Sequence, residues 1–174
     1  MTSGGMLEHW RMFAGYNSWA NCLVYASASA LTDAQRREDR GVFFKSVHAT
    51  LNHLLATDRI WLRRFTGQGD APKRLDAIVC DDFQALRQTR ISEDARIEAY
   101  VGGLDEAALA GVIRYRRVST PEMHEQALAP ALAHWFNHQT HHRGQVHALL
   151  TGLGLPGPEL DLLFYQRAAA QGAL

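Results

Sequence analysis

The stretch HWFNHQTHHRGQVH, residues 134–147, holds five of the chain's nine histidines, and the apolar residues around it repeat at helical spacing. At about 100° per residue on a helix from Leu128 to Leu153, the residues Leu128, Ala131, Leu132, Trp135, Val146, Leu149, Leu150 and Leu153 gather on one broad face. A face of that width belongs to a helix facing a bundle core. His142 lies in its middle and His138 at its flank one turn earlier, whereas His134 and His141 rotate outward and His147 points away.

Neutral imidazole is the commonest transition-metal ligand, and two imidazoles at i and i+4 can reach one ion from one helix. A buried histidine is more often a hydrogen-bonded core residue than a ligand, and HxxxH without the glutamate of HExxH is a weak motif. Two imidazoles on an apolar face still need a common partner to offset their desolvation. With histidine this dense, the reading turns to a metal site on His138 and His142.

A third ligand must come from another helix, and FFKSVHATLNHLLATDRIWLRRF offers His48 and His53. Lys45, Asn52, Arg59 and Arg63 recur at helical spacing and define a solvent stripe that includes His48, which is therefore expected to be exposed. His53 shares its side with Ser46, Thr50, Thr57 and Ile60, a strip of small residues beside the core that leaves room for an ion and a substrate. Without the other pair, a bond to a backbone carbonyl would be its default role.

The remaining chain reads as helices with one irregular connection. The first is expected over Leu7 to Leu31 and the second over Gly41 to Phe65, ending at Thr66-Gly67. A third starts at a capping box of Asp81 and Gln84 and ends at Gly102-Gly103. Gly111 to Val118 reads as a short strand or an extended crossover. Pro130 suits the first turn of the histidine helix, and Asp161 caps a short final helix. Gly152, Gly154 and Gly157 spell GxGxxG after a helix instead of a strand, so they are a cap and turn and imply no nucleotide. Gly144 in mid-helix costs about 1 kcal/mol against alanine, which the close approach of a neighbour would explain.

The runs TLNHLLATDRIWL and FNHQTHHRGQVHALL resemble the two signature stretches of the DinB family, metal-binding four-helix bundles with long crossover connections. YNSWANCLVY is similar to the family's opening pattern, so the likeness covers nearly the whole chain as one domain, 1–174. In that family a histidine on the second helix and two positions four apart on the last core helix bind a divalent ion, commonly nickel or zinc. The resemblance places the first ligand on His53, five residues before the acidic Asp58, and the others on His138 and His142. It also implies a site that activates a low-molecular-weight thiol for transfer or isomerisation, and a homodimer.

Length and composition fit an all-α domain of this kind: 174 residues with 47% hydrophobic can bury one sizeable core. Eighteen basic against eighteen acidic residues argue against nucleic acid, which needs a basic face. Cys22 and Cys80 lack CxxC spacing, so neither a disulfide framework nor a thiolate metal site is indicated, and a cytoplasmic location is expected. The first residues carry no apolar signal core, and no run reaches the ~20 apolar residues of a membrane span. ExxH, which builds di-iron sites in ferritin-like bundles, is missing.

Three neutral imidazoles would leave an ion its full charge and an open position, the arrangement of catalytic zinc. Such an ion acidifies a bound water or thiol, and its release is expected as pH falls through the imidazole range near 6.5. Two function classes follow: a metal-dependent thiol transferase or hydrolase, or a non-catalytic, stress-associated metal-binding protein acting through a partner. Tyr16, Asn17, Asn21 or Arg143 converging on the open position would favour the first. Asp58 is the candidate base, and Arg143 pairs with Asp58 or Asp161 or is solvated. Trp10, Trp19, Trp61, Phe43 and Phe44 widen the apolar faces enough to suggest a two-fold interface.

Overall fold

The computed structural model describes residues 4–117, 120 and 122–174, so Met1 to Ser3, Val118, Ser119 and Pro121 lie outside the described residues. Four long helices form the body: α1 (Gly4–Ala28), α3 (Val47–Thr66), α4 (Phe83–Gly102) and α6 (Leu128–Gly152). Between them lie the short α2 (Asp33–Arg37) and α5 (Glu106–Leu109), and α7 (Leu162–Ala170) closes the chain. Both α1 and α3 pack on α4 and on α6, so α1 faces α3 across the diagonal. No helix among the described residues is long and apolar enough to cross a membrane.

Local chemistry sets the ends of these helices. Ser46 caps α3 by accepting from the Ala49 N–H, and α3 stops at Gly67, whose φ of 71° suits a residue without Cβ. The cap of α4 is Asp82, one residue later than the sequence pattern suggests; Asp81 instead accepts from Arg37. In α6 Pro130 occupies the first turn, where its missing N–H costs nothing. Asp161 stands at the N-cap of α7 without a side-chain bond.

The stretch read as strand or crossover is β1 (Val112–Arg116), up to the point where Val118 leaves the described residues. Its antiparallel partner β2 (Met123–Ala127), in the register Val112 opposite Ala127, runs directly into α6. MHEQA has no apolar alternation, which is why its pairing escapes a pattern search.

Two apolar clusters fill the bundle. One gathers Trp10, Trp61, Ile97, Leu132, Trp135 and Phe136, the other Val24, Leu51, Leu55, Phe83, Leu86 and Leu150. A buried polar layer separates them. Its centre is Arg90, whose guanidinium pairs with Asp58 at 2.6 Å and Asp94 at 2.8 Å. Trp135 donates its indole N–H to the second Asp58 oxygen at 2.6 Å, and Asn21 donates to Asp94 at 2.9 Å. Arg143 completes the layer by donating to the Asn17 side-chain oxygen.

Several expectations change here. Arg143 pairs with neither Asp58 nor Asp161; it points into the core toward α1, with its guanidinium over the Tyr16 ring. Gly144 has no neighbour in contact range of a Cβ, and borders a cavity of about 610 Å³ between α1, α6 and residues 158–162. Openness at this position, not close approach, accompanies the glycine. Trp10 and Trp61 are buried inside the protomer, whereas Phe43 is 84% exposed.

His48 and Asn52 are buried, against the solvent stripe drawn through them. The loop 67–82 folds back over that face. Asn52 accepts from the Cys80 N–H at 2.9 Å and donates to the Cys80 carbonyl at 3.2 Å, so a polar stripe that looks solvent-facing serves to hold a loop.

Burial pushes the Asp58 carboxyl up to about 6, against the pull of Arg90 and of the Trp135 N–H, and it remains ionised at neutral pH. Removing one partner of a buried ion pair leaves the other undercompensated. Asp58→Asn is expected to lower the unfolding free energy by about 3 kcal/mol in urea titrations at pH 7.5. A loss below about 0.5 kcal/mol, the range of an ordinary surface change, would contradict this account of the layer.

Candidate metal centre

His53 projects from α3 about one turn from Asp58 of the polar layer, and His138 and His142 project from α6 to meet it. Their ligand atoms lie within 4.8 Å of one another. His53 Nε2 is 3.2 Å from His142 Nε2 and 3.4 Å from His138 Nε2. Between imidazoles bound to zinc at about 2.0–2.1 Å with tetrahedral angles, nitrogens sit about 3.3 Å apart.

The outer nitrogens decide what the inner ones can be. His53 Nδ1 lies 2.7 Å from the Leu75 carbonyl oxygen, which only accepts, so Nδ1 carries the proton and the neutral ring leaves Nε2 bare. His142 Nδ1 lies 2.8 Å from Gln145 Oε1, with the same consequence. The Gln145 amide N–H₂, turned to His141 Nε2 at 3.2 Å, fits that orientation. Two lone pairs thus face each other at 3.2 Å, a contact that a cation between them would relieve. A proton is disfavoured there: burial, opposed by the Leu75 bond, pushes His53 down to about 4. Burial and the neighbouring imidazoles His142 and His53 push His138 down to about 3, and burial also lowers His142. The donor set therefore fits a divalent transition metal.

One side of the triad is walled by Phe44, stacked on His53 with centroids 3.7 Å apart and edge-on to His142 at 5.4 Å. A tight turn bridging Val42 and Lys45 holds Phe44 there, and Lys45 takes a positive φ of 68°. A non-glycine residue in that region is strained by about 1 kcal/mol or more, and such strain collects at functional sites. On another side His138 and Leu75 line a cavity of about 520 Å³.

The model of the DinB family matches residues 6–173. The chain belongs to the DinB family. It is 23% identical over 158 residues to Protein DinB of Bacillus subtilis (strain 168), covering 86% of this chain and 89% of that protein. The crystal structure of a DinB-like protein from Bacillus cereus ATCC 10987 superposes with a TM-score of 0.65 at 16% identity, covering 90% of this chain and 95% of that one. At that identity the structural likeness speaks for the DinB fold alone.

Of the residues singled out in the sequence, the fold brings His53, His138 and His142 together and leaves the others outside that set. Asp58 faces Arg90 and Trp135, so it is not a base beside the imidazoles. Asn17, Asn21 and Arg143 bond to one another and to Asp94, and do not converge on the triad. His134 and His141 lie outside the converging set, as their outward rotation implies. Sequence reasoning missed Phe44, Leu75 and Gln145. Only Gln145, one turn after His142, carried a signal; a loop carbonyl carries none.

The pH response follows from the depressed pKa values. Below about 6.5 the unfolded chain takes up protons that the folded triad refuses, so stability is lost as pH falls toward the folded values. The metal-free protein is expected to resist urea less at about pH 5 than at 7.5, and less so once His53 and His138 are both replaced. Bound metal should survive below the 6.5 expected from free imidazole, because burial lowers all three imidazoles, His53 to about 4 and His138 to about 3. Dialysis across this range with metal analysis checks it, and half-release above about pH 6 would overturn the burial argument.

Proposed function

We propose that this protein binds one divalent transition-metal ion, zinc or nickel, through His53, His138 and His142, and acts as a metal-dependent enzyme. The observation that carries the reading is the convergence of two bare Nε2 lone pairs in a site too buried for protonation at neutral pH. A bound ion would supply Lewis acidity, making a coordinated water or low-molecular-weight thiol more acidic. That serves either thiol transfer or hydrolysis.

The chain's own residues divide the remaining work. Leu75 and Gln145 fix the tautomers of His53 and His142, so that each presents a lone pair without reorganisation. Phe44 excludes water from the His53–His142 side. The cavity beside His138 supports catalysis over a packed structural ion, because it gives a substrate access. Asp58 is too far committed to Arg90 to move protons, which leaves activation to the ion itself.

His53→Ala, His138→Ala and His142→Ala are each expected to remove most metal from untagged protein, while His134→Ala keeps a full complement. His48→Ala should keep its metal per folded chain too, since His48 bonds to Asn52 on another side of α3. A full complement in the His53 variant would overturn the ligand set. Chelation should leave the helical content intact, since the two apolar clusters do not involve the ion.

Pairing of two protomers belongs to the same reading, supported by family likeness and by the exposed Phe43. Sedimentation at micromolar concentration is expected to show twice the 19.4 kDa chain mass, and a single species at the monomer mass would refute it.

A further inference from the structure

The cavity that His138 and Leu75 share with the metal centre carries two guanidinium groups and no carboxylate. Arg64, Arg117, His124 and His134 line it together with Trp61 and Tyr115, and neither Asp nor Glu belongs to its lining. Glu122, 3.9 Å from His124, is exposed and lies outside the wall.

Arg64 is the unusual member. Its guanidinium carbon is 4.4 Å from the Trp61 ring centroid and 4.4 Å from that of Tyr115. Both contacts hold the side chain in place by cation–π attraction, while they do nothing to neutralise it. Elsewhere in the bundle Arg36, Arg59, Arg90 and Arg96 each have a carboxylate within 4.0 Å. Arg143 has none, and donates to the Asn17 and Asn21 oxygens instead; Arg64 has no carboxylate within that distance among the described residues, and exposed Arg117 has none either. A half-buried guanidinium that is positioned but uncompensated is a costly arrangement in a folded protein unless something else brings the counter-charge.

We infer that this cavity is the substrate subsite of the centre, and that it takes a small organic molecule whose carboxylate is held by Arg64. The two rings take no hydrogen bond from it, so the guanidinium keeps N–H groups to donate, and its planar fork matches a carboxylate bidentately. The wall then leads from this end to the triad in short steps. Tyr115 and Trp61 are 5.4 Å apart, Trp61 and His134 5.2 Å, and His134 and His138 6.0 Å, all between ring centroids. A ligand anchored at Arg64 lies along aromatic surface and turns its other end toward His138. Thr57, from the turn after His53, is the polar group of α3 on that route.

Only the statement that the far end reacts rests on the metal-enzyme reading; anion capture by Arg64 does not. The test uses calorimetric titration of benzoate and its uncharged counterpart benzamide into full-length protein, metal-depleted and zinc-loaded, with metal content measured on each sample. Benzoate is expected to bind both forms with a dissociation constant below about 10 mM, and about tenfold or more tightly than benzamide. Arg64→Gln should abolish that preference and keep the metal, while Arg63→Gln, changing an exposed neighbour on the same helix, should alter neither. Arg64→Lys, which keeps the charge but loses the fork, should fall between the two.

Equal binding of benzoate and benzamide, binding of neither, or full benzoate affinity in the Arg64→Gln protein would each overturn the inference. The wild-type comparison of the two probes decides the matter even if the variants fold poorly. Benzoate that binds only with zinc present, regardless of residue 64, would mean that the anion sits on the metal; this removes the subsite and leaves the metal reading standing. Protein that takes up no metal but retains Arg64-dependent benzoate binding would do the reverse.

Discussion

The ion pairs of Arg90 with Asp58 and Asp94 are the constraint on which the remaining geometry depends. A guanidinium buried to 2% exposure tolerates little displacement, because each lost contact leaves a charge without water or partner. Asp58 is on α3, Asp94 on α4 with Arg90, and Trp135 on α6 reaches the same carboxylate. Three helices are thereby locked at one height. His53 lies about one turn from Asp58, and His138 about one turn from Trp135, so the layer that fixes the bundle's register also brings the imidazoles level with one another.

The triad uses the opposite strategy. Where Arg90 is satisfied within the chain, the inner nitrogens of His53 and His142 are deliberately left bare by hydrogen bonds made on their outer sides. Desolvation then removes the proton as an alternative occupant at neutral pH. The apolar clusters on either side give the scaffold its stability without help from this site, which allows the site itself to remain unsatisfied. Strain at Lys45, beside the Phe44 that stacks on His53, and the uncompensated charge of Arg64 in the adjoining cavity extend the same pattern.

The extent of α6 and the placing of His138 and His142 on one side of it were legible in the sequence because both depend on a single helix, whereas α3 begins at Val47 and not at the expected Gly41. The 3.6-residue period places side chains on faces whatever surrounds them, and residues 128–152 form one helix as that period requires. The resemblance of two short runs to the DinB signatures located His53, and the family match over residues 6–173 agrees with it. Helix periodicity failed at His48 and Asn52. A wheel shows which residues share a side but not what covers that side, and the covering loop 67–82 carries no regular pattern.

By itself, then, the sequence determined a helical bundle, its histidine-bearing faces and the residue types capable of holding a metal. Tertiary structure alone decided that Asp58 and Arg143 belong to the buried layer, since Asp58 passes over the nearby Arg59 and Arg63 for Arg90, and Arg143 takes Asn17 on α1. It also decided which imidazole nitrogens are free, because that follows from a loop carbonyl at Leu75 and a glutamine one turn away. The cavity beside His138 arises in the same way, from α3, α6 and a strand pair whose second member has no signal of its own. Helix faces follow from covalent geometry and local spacing, whereas burial, tautomer and charge balance depend on contacts between segments that the sequence order does not place side by side.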